Sequence, residues 1–359
     1  MRIAIIGAGI YGLHAAKILV DNNHEIVVFE KESDPMQGAS KLNQSRVHAG
    51  YHYPRALQTA GRSQKNSLKF LSDFSKSIER NFTSIYAITK DSKVSQEKFK
   101  QLAKVIDAPI KLADKEIFAM FNKVMVSEVF QVNEFSYNST ELRKIMLEKL
   151  NNSIDIQFNT EILGCQLNYF SMQKRSYMFL SSSFADYEPF DLCINASYGE
   201  YPGGSSKHGK LQFEVCELMH VVAPIDLSKI AITVLDGPYF SLTPWPSFGN
   251  HVLTHVRFTP HSKHESFHEA RDRISDLDLI SRYEITLRDC ARYIPIMSET
   301  RYLKSKFAVK TVLASRDLDD ARPIITSESE RLLNIIGSKV DNIYDIEEVV
   351  LNFVERYKS

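Results

Sequence analysis

The stretch Met1-Arg-Ile-Ala-Ile-Ile-Gly-Ala-Gly-Ile-Tyr-Gly12 opens the chain and decides its fold. Ile3 to Ile6 form a short β-branched run, which is typical of a parallel strand covered on both faces. Apolar residues then recur at helical spacing as far as Val20, and the polar turn 21–23 ends that helix. Residues 24–30 supply a second β-branched strand that ends in Glu30. The pattern predicts a strand, a tight turn, a helix and a second strand.

The three glycines of this stretch indicate a binding function. In the G-x-G-x-x-G pattern, Gly7 permits the tight turn, Gly9 lets the backbone approach a pyrophosphate, and Gly12 lets the helix pack closely on the strand. Glu30 follows Gly12 by 18 residues (30 − 12), where a carboxylate accepts hydrogen bonds from a ribose hydroxyl. An ordinary glycine-rich turn is the simpler alternative. Because strand, helix and acid are all in register, we favour a dinucleotide-binding site.

Composition limits the function classes that are open to this chain. Its 359 residues and 43% hydrophobic content suffice for two domains or one large α/β domain with a full core. Lysine plus arginine equals aspartate plus glutamate at 44 each, so no net charge recruits nucleic acid or an anionic membrane. We therefore expect a small-molecule substrate as the partner.

The cysteines and the apolar runs indicate the compartment. Cys165, Cys193, Cys216 and Cys290 are far apart, without a C-x-x-C or metal-type spacing, so we expect free thiols and no metal site. No stretch approaches the roughly 18 apolar residues of a membrane span, and no cleavable signal precedes the first strand. These features predict a cytoplasmic protein.

Three further helices are predicted in the first half of the chain. Apolar residues recur at helical spacing within 61–82, and residues 95–106 form a charged surface helix. Asn138-Ser-Thr-Glu141 is typical of a capping box, and the helix that it begins ends at 151–152. Strands are expected at 84–89, around 124–132, at 154–158 and at 176–181.

A polar and aromatic segment follows the first nucleotide-binding unit. Lys41-Leu-Asn-Gln-Ser-Arg-Val-His-Ala-Gly-Tyr-His-Tyr53 is too polar for a core and too aromatic for a plain linker. On residue types alone, a surface loop with incidental histidines is as good an interpretation as a binding segment.

Gly38-Ala-Ser40 together with Ser45-Arg-Val-His-Ala-Gly-Tyr-His-Tyr53 resembles the flavoenzymes of the D-amino acid oxidase superfamily. These include glycine and sarcosine oxidases, L-2-hydroxyglutarate dehydrogenase and glycerol-3-phosphate dehydrogenase. The resemblance implies FAD as the cofactor, with Ser40 near its phosphate and ribityl chain and His48 close to the ring. Some members attach the flavin covalently through a histidine in this region, and the resemblance leaves that question open for His48.

Two later segments extend the resemblance. Asp191-Leu-Cys-Ile-Asn-Ala-Ser-Tyr-Gly199 predicts a strand running into a glycine turn, which in the superfamily lies beside the adenosine. Leu333-Asn-Ile-Ile-Gly337, followed by an apolar-periodic helix through Phe353, predicts a second strand–glycine–helix unit. In the superfamily this unit faces the pyrimidine edge of the flavin, where helix amides and Lys339 stabilise negative charge on the reduced ring.

Extended segments follow residue 210 without intervening helices, at 211–223, 230–235, 237–243 and 251–258, and predict an antiparallel sheet. In the last of them, period-two geometry places Thr254 with Val252, Val256 and Phe258 on one face. The other face then carries His251, Leu253, His255 and Arg257. Whether that cationic face meets solvent or substrate stays open.

The resulting fold class is α/β (α+β overall), with a Rossmann-like FAD-binding domain that is discontinuous in sequence and a second domain built on an antiparallel sheet. The predicted FAD-binding domain comprises 1–80, 138–205 and 315–359, and the substrate domain comprises 81–137 and 206–314. Nucleotide-binding pieces recur at the start, middle and end of the chain, which favours FAD over NAD.

The resemblance also implies the site residues. The predicted cofactor-binding residues are Gly7, Gly9, Ile10, Tyr11, Gly12, Glu30, Lys31, Ser40, Ser45, Arg46, Val47, His48, the Glu161-Ile162 pair, Ala196, Ser197, Gly199, Arg322, Gly337, Ser338, Lys339 and Val340. In the superfamily an arginine commonly holds a substrate carboxylate, and a tyrosine or histidine orients the amine or hydroxyl. The predicted catalytic residues are His48, His52, Tyr53, Tyr239, His255, Arg257 and Arg322.

The expected activity is removal of a hydride from a small amine, amino acid, hydroxy acid or sugar-derived substrate, with FAD as the acceptor. Two alternatives keep the dinucleotide site. A flavin-dependent nucleotide-sugar isomerase uses reduced flavin without net redox turnover, and a non-catalytic module binds the dinucleotide without being reduced by any substrate.

Overall fold

The computed structural model describes residues 1–151, 153–170, 175–183, 185–201, 211–276, 279–314 and 324–358. Within these ranges the α-helices are α1 (Ile10–Asp21), α2 (Leu57–Asp73), α3 (Gln96–Val105), α4 (Lys115–Ala119), α5 (Ser139–Leu150), α6 (Phe267–Ile274), α7 (Tyr283–Tyr293) and α8 (Glu347–Glu355). Short 3₁₀ helices span Ser75–Ser77, Ile225–Leu227, Pro295–Glu299 and Asp341–Ile346.

The strands are β1 (Arg2–Ile6), β2 (Glu25–Phe29), β3 (Arg46–Val47), β4 (Ile78–Glu79), β5 (Thr83–Thr89), β6 (Ile110–Leu112), β7 (Val126–Val132), β8 (Phe135–Tyr137), β9 (Asp155–Gln157), β10 (Ile162–Phe170), β11 (Arg175–Ser182), β12 (Leu192–Asn195), β13 (Leu211–Val222), β14 (Ile230–Leu235), β15 (Phe240–Pro244), β16 (His251–His255), β17 (Pro260–His264), β18 (Arg301–Leu313), β19 (Ile325–Ser329) and β20 (Leu332–Ile336).

The first sheet has six strands in the order β19-β20-β12-β1-β2-β9. Its pairs are parallel except for β19 against β20. The parallel strands come from distant parts of the chain because β1 pairs with both β2 and β12, and β12 pairs with β20. This sheet confirms the predicted Rossmann-like fold that is discontinuous in sequence.

The second sheet has nine strands in the order β17-β13-β16-β15-β14-β5-β7-β6, with β18 paired to β13. Its pairs are antiparallel except for β5 against β14. The prediction of an antiparallel second sheet is confirmed, and β5 to β7 join it from earlier in the chain. The domain boundaries themselves stay a prediction.

Separate apolar cores stabilise the two sheets. Leu13, Ala16 and Leu19 of α1 pack with residues of α5 and α8 on the first sheet. On the second sheet, Leu253 of β16 packs with α7 and its neighbours. Each sheet therefore keeps one face for its own core, as layered folds require.

The predicted helix at 61–82 is wrong in its bounds. It begins earlier, at Leu57, and ends at Asp73, where Phe74 is its C-cap residue. A 3₁₀ turn follows, and Ile78 then pairs with Tyr137 of β8. The apolar period continued past the true end because Phe74 at the C-cap and Ile78 of β4 pack against the same core as the helix.

The predicted α5 cap is confirmed, because the Asn138 side chain accepts hydrogen bonds from the Thr140 and Glu141 amides. The strand predicted at 251–258 ends at His255, and the chain then turns. After Gly337 the chain forms the 3₁₀ helix Asp341–Ile346 before α8 begins, so the first part of the predicted helix is a 3₁₀ helix.

The four cysteines are free thiols, as predicted. In the ranges that the structure describes, none of the helices combines the length and apolar character needed to cross a bilayer.

Candidate functional site

A single cavity of about 1460 Å³ is lined by residues of both sheets. Gly7, Gly9 and Glu30 border it on the six-stranded sheet, and Thr233 and Ser241 border it on the nine-stranded sheet. Its volume exceeds the roughly 300–1,000 Å³ of a pocket for a drug-sized ligand. The cavity therefore has room for a dinucleotide and a second, smaller molecule.

The glycine turn after β1 brings backbone groups to the cavity. Gly7 has a φ of +96°, which glycine adopts without strain, and its amide donates to the Phe29 carbonyl at 2.8 Å. A methyl group on Gly12 would lie 1.9 Å from the Gly7 oxygen, so α1 packs against the turn itself. The α1 N-cap residue, Gly9, has no side chain, and the first turn of α1 contains no acid. These features make the start of α1 an anion-binding site.

Glu30 ends β2 with its carboxylate on the cavity. One oxygen accepts a hydrogen bond from the Ala8 amide at 2.7 Å, and the other accepts from the Glu32 amide at 3.0 Å. Burial raises the pKa of Glu30, and the two amide bonds act against that shift. The backbone therefore fixes the carboxylate beside the glycine turn, in the position where a ribose hydroxyl is expected.

A partly buried cation also borders the cavity. The Lys339 ammonium is 3.9 Å from the centroid of the Tyr53 ring, and the Tyr11 hydroxyl donates to the Lys339 carbonyl at 2.6 Å. Burial lowers the pKa of Lys339 to about 7, although Asp341 acts to raise it. Burial likewise raises the pKa of Asp341 to about 6, opposed by Lys339. Ser63 donates to Asp341 at 2.9 Å.

His48 borders the same part of the cavity as a neutral imidazole. Burial, together with the charge of Lys339, lowers its pKa to about 3. Its Nδ1 lies 3.5 Å from a carboxylate oxygen of Glu134, and its ring centroid lies 5.0 Å from that of His52. A neutral imidazole can accept a proton, which is what a general base requires.

Glu134 joins the polar segment to the nine-stranded sheet. One oxygen accepts from Arg46 Nη2 at 2.6 Å and from the Tyr86 hydroxyl at 2.8 Å, and the other accepts from the Ala49 amide at 3.0 Å. Burial is the largest influence and acts to raise the pKa of Glu134, but Arg46, His48 and the Ala49 amide together outweigh it, and the pKa falls to about 2. The Arg46–Glu134 pair is therefore ionised inside the protein.

Neutral hydroxyl groups line the cavity on the nine-stranded sheet. Thr233 is opposite Ser241, and Ser241 is opposite Thr254, so the three share one face. Gln44 Nε2 donates to Thr254 Oγ1 at 2.9 Å. This polar face lies within the same cavity as His48 and Lys339.

The two faces of β16 have different surroundings. Thr254 borders the cavity, whereas Leu253 packs in the core with α7, and His255 Nε2 lies 3.1 Å from Asp289 of that helix. His251 and His255 are both buried away from solvent, and His255 also borders the cavity. Arg257 is exposed in the turn after β16, outside the cavity lining.

Most of the predicted site residues border the one cavity. They are Gly7, Gly9, Ile10, Tyr11, Glu30, Lys31, Ser40, Arg46, His48, His52, Tyr53, Glu161, Ile162, Ala196, Ser197, Tyr239, His255, Gly337, Ser338, Lys339 and Val340. Gly12, Ser45, Val47 and Gly199 pack behind the lining, and Arg322 falls outside the described residues.

Six residues of the site carried no predicted role: Thr233, Ser241 and Thr254 of the hydroxyl face, and Gln44, Glu134 and Asp341. Glu134 follows an apolar strand in a stretch without a clean period, and Asp341 comes two residues after Lys339. Only the proximity of Asp341 to Lys339 gave a local signal, because the partners of Gln44 and Glu134 are distant in sequence.

The described residues fit FAD. The start of α1 has no side-chain cap from Gly9 and offers amides to a diphosphate beside Ser40, which accepts from the Ile10 amide at 3.0 Å, and Glu30 offers a fixed acceptor to a ribose. The buried hydroxyl of Tyr53 has no hydrogen-bond partner within the described part of the chain, and the Tyr53 ring borders the cavity. Buried polar atoms are normally paired, so this hydroxyl indicates a ligand.

Comparison with known proteins supports the same assignment. The model of the FAD-dependent oxidoreductase family DAO matches residues 2–166, which include the glycine turn, Glu30, Ser40 and His48. Over these residues the chain is similar to the D-amino acid oxidase superfamily. The protein is a FAD-dependent oxidoreductase, and FAD is its cofactor.

Similar proteins match this FAD-dependent oxidoreductase over nearly its whole length. The FAD-dependent monooxygenase FPY4 of Fusarium mangiferae is 25% identical over 98% of this chain and 91% of its own. Among solved structures, glycine oxidase from Geobacillus kaustophilus has a TM-score of 0.68 at 16% identity, covering 100% of this chain and 96% of its own. The dithionite-reduced L-α-glycerophosphate oxidase of Mycoplasma pneumoniae with FAD bound has a TM-score of 0.70 at 14% identity, covering 99% and 94%. At these identities the structures establish the shared fold.

Proposed function

We propose that the protein oxidises a small polar substrate by removing a hydride from a carbon that bears an amine or a hydroxyl group. The continuous cavity carries this proposal, because it joins the glycine turn and Glu30 to His48, Lys339 and the hydroxyl face of the nine-stranded sheet. Bound FAD supplies the hydride acceptor, so the side chains need only bind, orient and exchange protons.

Each end of the cavity has a proposed role. The first amides of α1 bind the diphosphate, and Glu30 accepts from the ribose. At the opposite end His48, Tyr53 and Lys339 border the ring, and the Lys339 ammonium stabilises the negative charge that accompanies reduction.

The substrate contacts are also proposed. Thr233, Ser241 and Thr254 bind its polar groups, which holds the C–H bond toward the ring. His48, kept neutral by burial, accepts the proton from the substrate hydroxyl or ammonium.

Anaerobic reduction of the purified holoenzyme tests the proposal. We expect one class among amines, amino acids, hydroxy acids and polyols to bleach the visible flavin absorption. The His48→Gln variant should keep its FAD and bleach roughly 100-fold more slowly, the usual contribution of a general base. His251→Gln is the matched control, because that buried histidine lies outside the cavity lining. A holoenzyme that dithionite reduces but no substrate class bleaches would refute the proposal.

A monooxygenase reaction is the second candidate function, because the relative FPY4 bears that name. Turnover under ¹⁸O₂ separates the two reactions by product mass. An oxidase leaves the product unlabelled and releases hydrogen peroxide, whereas a monooxygenase adds one labelled oxygen atom to the product.

A further inference from the structure

Each arginine among the described residues that line the cavity is paired with a carboxylate of the protein. Arg46 lies 2.6 Å from Glu134, Arg55 lies 2.7 Å from Asp236, and Arg271 lies 2.9 Å from Glu200. Recognition of a substrate carboxylate commonly uses the two parallel N–H groups of a guanidinium. The protein's own carboxylates already neutralise these three groups.

Arg46 is the arginine that reaches the hydroxyl face. Its Nη1 donates to Ser241 Oγ at 3.4 Å, and its Nη2 donates to Glu134 and to the Tyr86 hydroxyl. The side chains of Arg46 and Glu134 are only 5% and 2% exposed, so solvent screens this pair little. Without Glu134, this buried guanidinium would be the natural partner of a substrate carboxylate.

The buried charges near His48 balance as a whole. Lys339 and Asp341 form a second set of opposite charges beside Arg46 and Glu134, and the His48 imidazole is neutral. A carboxylate entering this region would therefore add an unbalanced negative charge away from water, which is costly. A hydroxyl, an amide or a neutral amine adds none.

On the hydroxyl face, the described groups that remain for recognition are neutral donors and acceptors. Thr233, Ser241 and Thr254 present hydroxyls, each of which both donates and accepts, and Gln44 adds an amide. Such groups suit a substrate that carries hydroxyl or amine groups.

We infer that the substrate lacks a carboxylate at the hydroxyl face, and that Glu134 sets this preference by neutralising Arg46. The substrate class is then an uncharged hydroxy or amino compound, as opposed to an amino acid or a hydroxy acid. This inference rests on the proposed function and narrows its substrate.

Matched probes test the inference in the holoenzyme. Two carboxylate–amide pairs are used: benzoate with benzamide, and propionate with propionamide. Each compound is titrated into the holoenzyme, and its binding is followed by the change in the flavin absorption spectrum. We expect each amide to bind at least tenfold more tightly than its carboxylate. Anaerobic reduction is then measured with L-lactate against 1,2-propanediol, and with L-alanine against 2-aminopropan-1-ol, where the alcohols should reduce the flavin faster.

Variants of the pair locate the cause of the preference. Glu134→Gln leaves Arg46 uncompensated, so carboxylate affinity should rise at least tenfold while amide affinity stays within about twofold. Glu134→Asp keeps the charge and should keep the wild-type preference. The double variant Arg46→Met, Glu134→Gln removes both charges and should gain no carboxylate binding.

Two results would overturn the inference. One is a wild-type enzyme that binds or is reduced by carboxylates in preference to their neutral partners; the other is a Glu134→Gln holoenzyme with unchanged charge preference. If Glu134→Gln fails to retain FAD, the comparison of ligands in the wild-type enzyme and the double variant decide whether the inference holds. An enzyme that prefers the amides but is reduced by none of the compounds refutes the proposed function and leaves the charge selectivity supported.

Discussion

Replacing Gly12 with alanine would put a methyl group into occupied space at the start of α1. The new carbon would lie 1.9 Å from the Gly7 carbonyl oxygen and 3.1 Å from its carbonyl carbon. Both are backbone atoms of the tight turn, so no side chain can rotate away. To reach ordinary contact at 3.4 Å, α1 must retreat by about 1.5 Å (3.4 − 1.9).

The size of the effect follows from this displacement. Overpacking of a well-packed site typically costs about 1–3 kcal/mol, and we expect the upper end, about 3 kcal/mol, because the clash is with backbone. The same movement withdraws the first amides of α1 from the diphosphate. A loss of about 3 kcal/mol in binding raises the Kd for FAD roughly 100-fold.

Calorimetry of FAD binding to the apoprotein and urea unfolding of that apoprotein measure the two effects separately. Gly61→Ala is the matched control, since an added methyl group there meets nothing within 4 Å and Gly61 lies inside α2. This control should keep FAD affinity and gain about 0.5–1 kcal/mol of stability. A Gly12→Ala protein with wild-type stability and FAD affinity would refute the packing argument.

Three further predictions follow from single contacts. Glu30→Gln should raise the Kd for FAD about tenfold, because a neutral acceptor replaces a charged one; Glu25→Gln, at an exposed position of the same strand, should not change it in the same titration. Lys339→Met should weaken the sulfite adduct of the bound flavin about tenfold, because a partly buried cation beside the ring is lost, whereas Lys17→Met on α1 should leave adduct affinity unchanged. His251→Gln should reduce acid destabilisation. Burial lowers the pKa of His251 from 6.5 to about 4, so between these values the unfolded state binds the proton and the folded state does not. Wild-type stability therefore falls by about 2 kcal/mol from this group between pH 8 and pH 5, a loss that urea unfolding should find missing from the variant.

The nucleotide-binding half of the site could be predicted from local sequence. Gly7, Gly9, Gly12 and Glu30 belong to one strand–turn–helix–strand unit, whose geometry depends on neighbours in sequence. Gly7 has a positive φ, and a methyl group on Gly12 would clash with the turn, so residue identity at these two positions reveals the contact.

The substrate half was harder to predict because its contacts join distant residues. Ser241 approaches Arg46 across 195 positions, and Gln44 approaches Thr254 across 210. Period two correctly separated the faces of β16, but both faces are buried and Thr254 and His255 both border the cavity, so polarity could not assign the cavity to one face. A short periodic pattern also could not predict that the strand ends at His255, which leaves Arg257 outside the cavity lining.

The sequence by itself determined the cofactor class and the discontinuous Rossmann-like fold, since glycine turns and β-branched strands carry their geometry locally. Only the tertiary structure decided the charge of the substrate region. Glu134 and Arg46 are 88 positions apart, and no local pattern pairs them. Because charges held away from water must be balanced within the protein, the buried pair leaves no net charge of its own at the hydroxyl face.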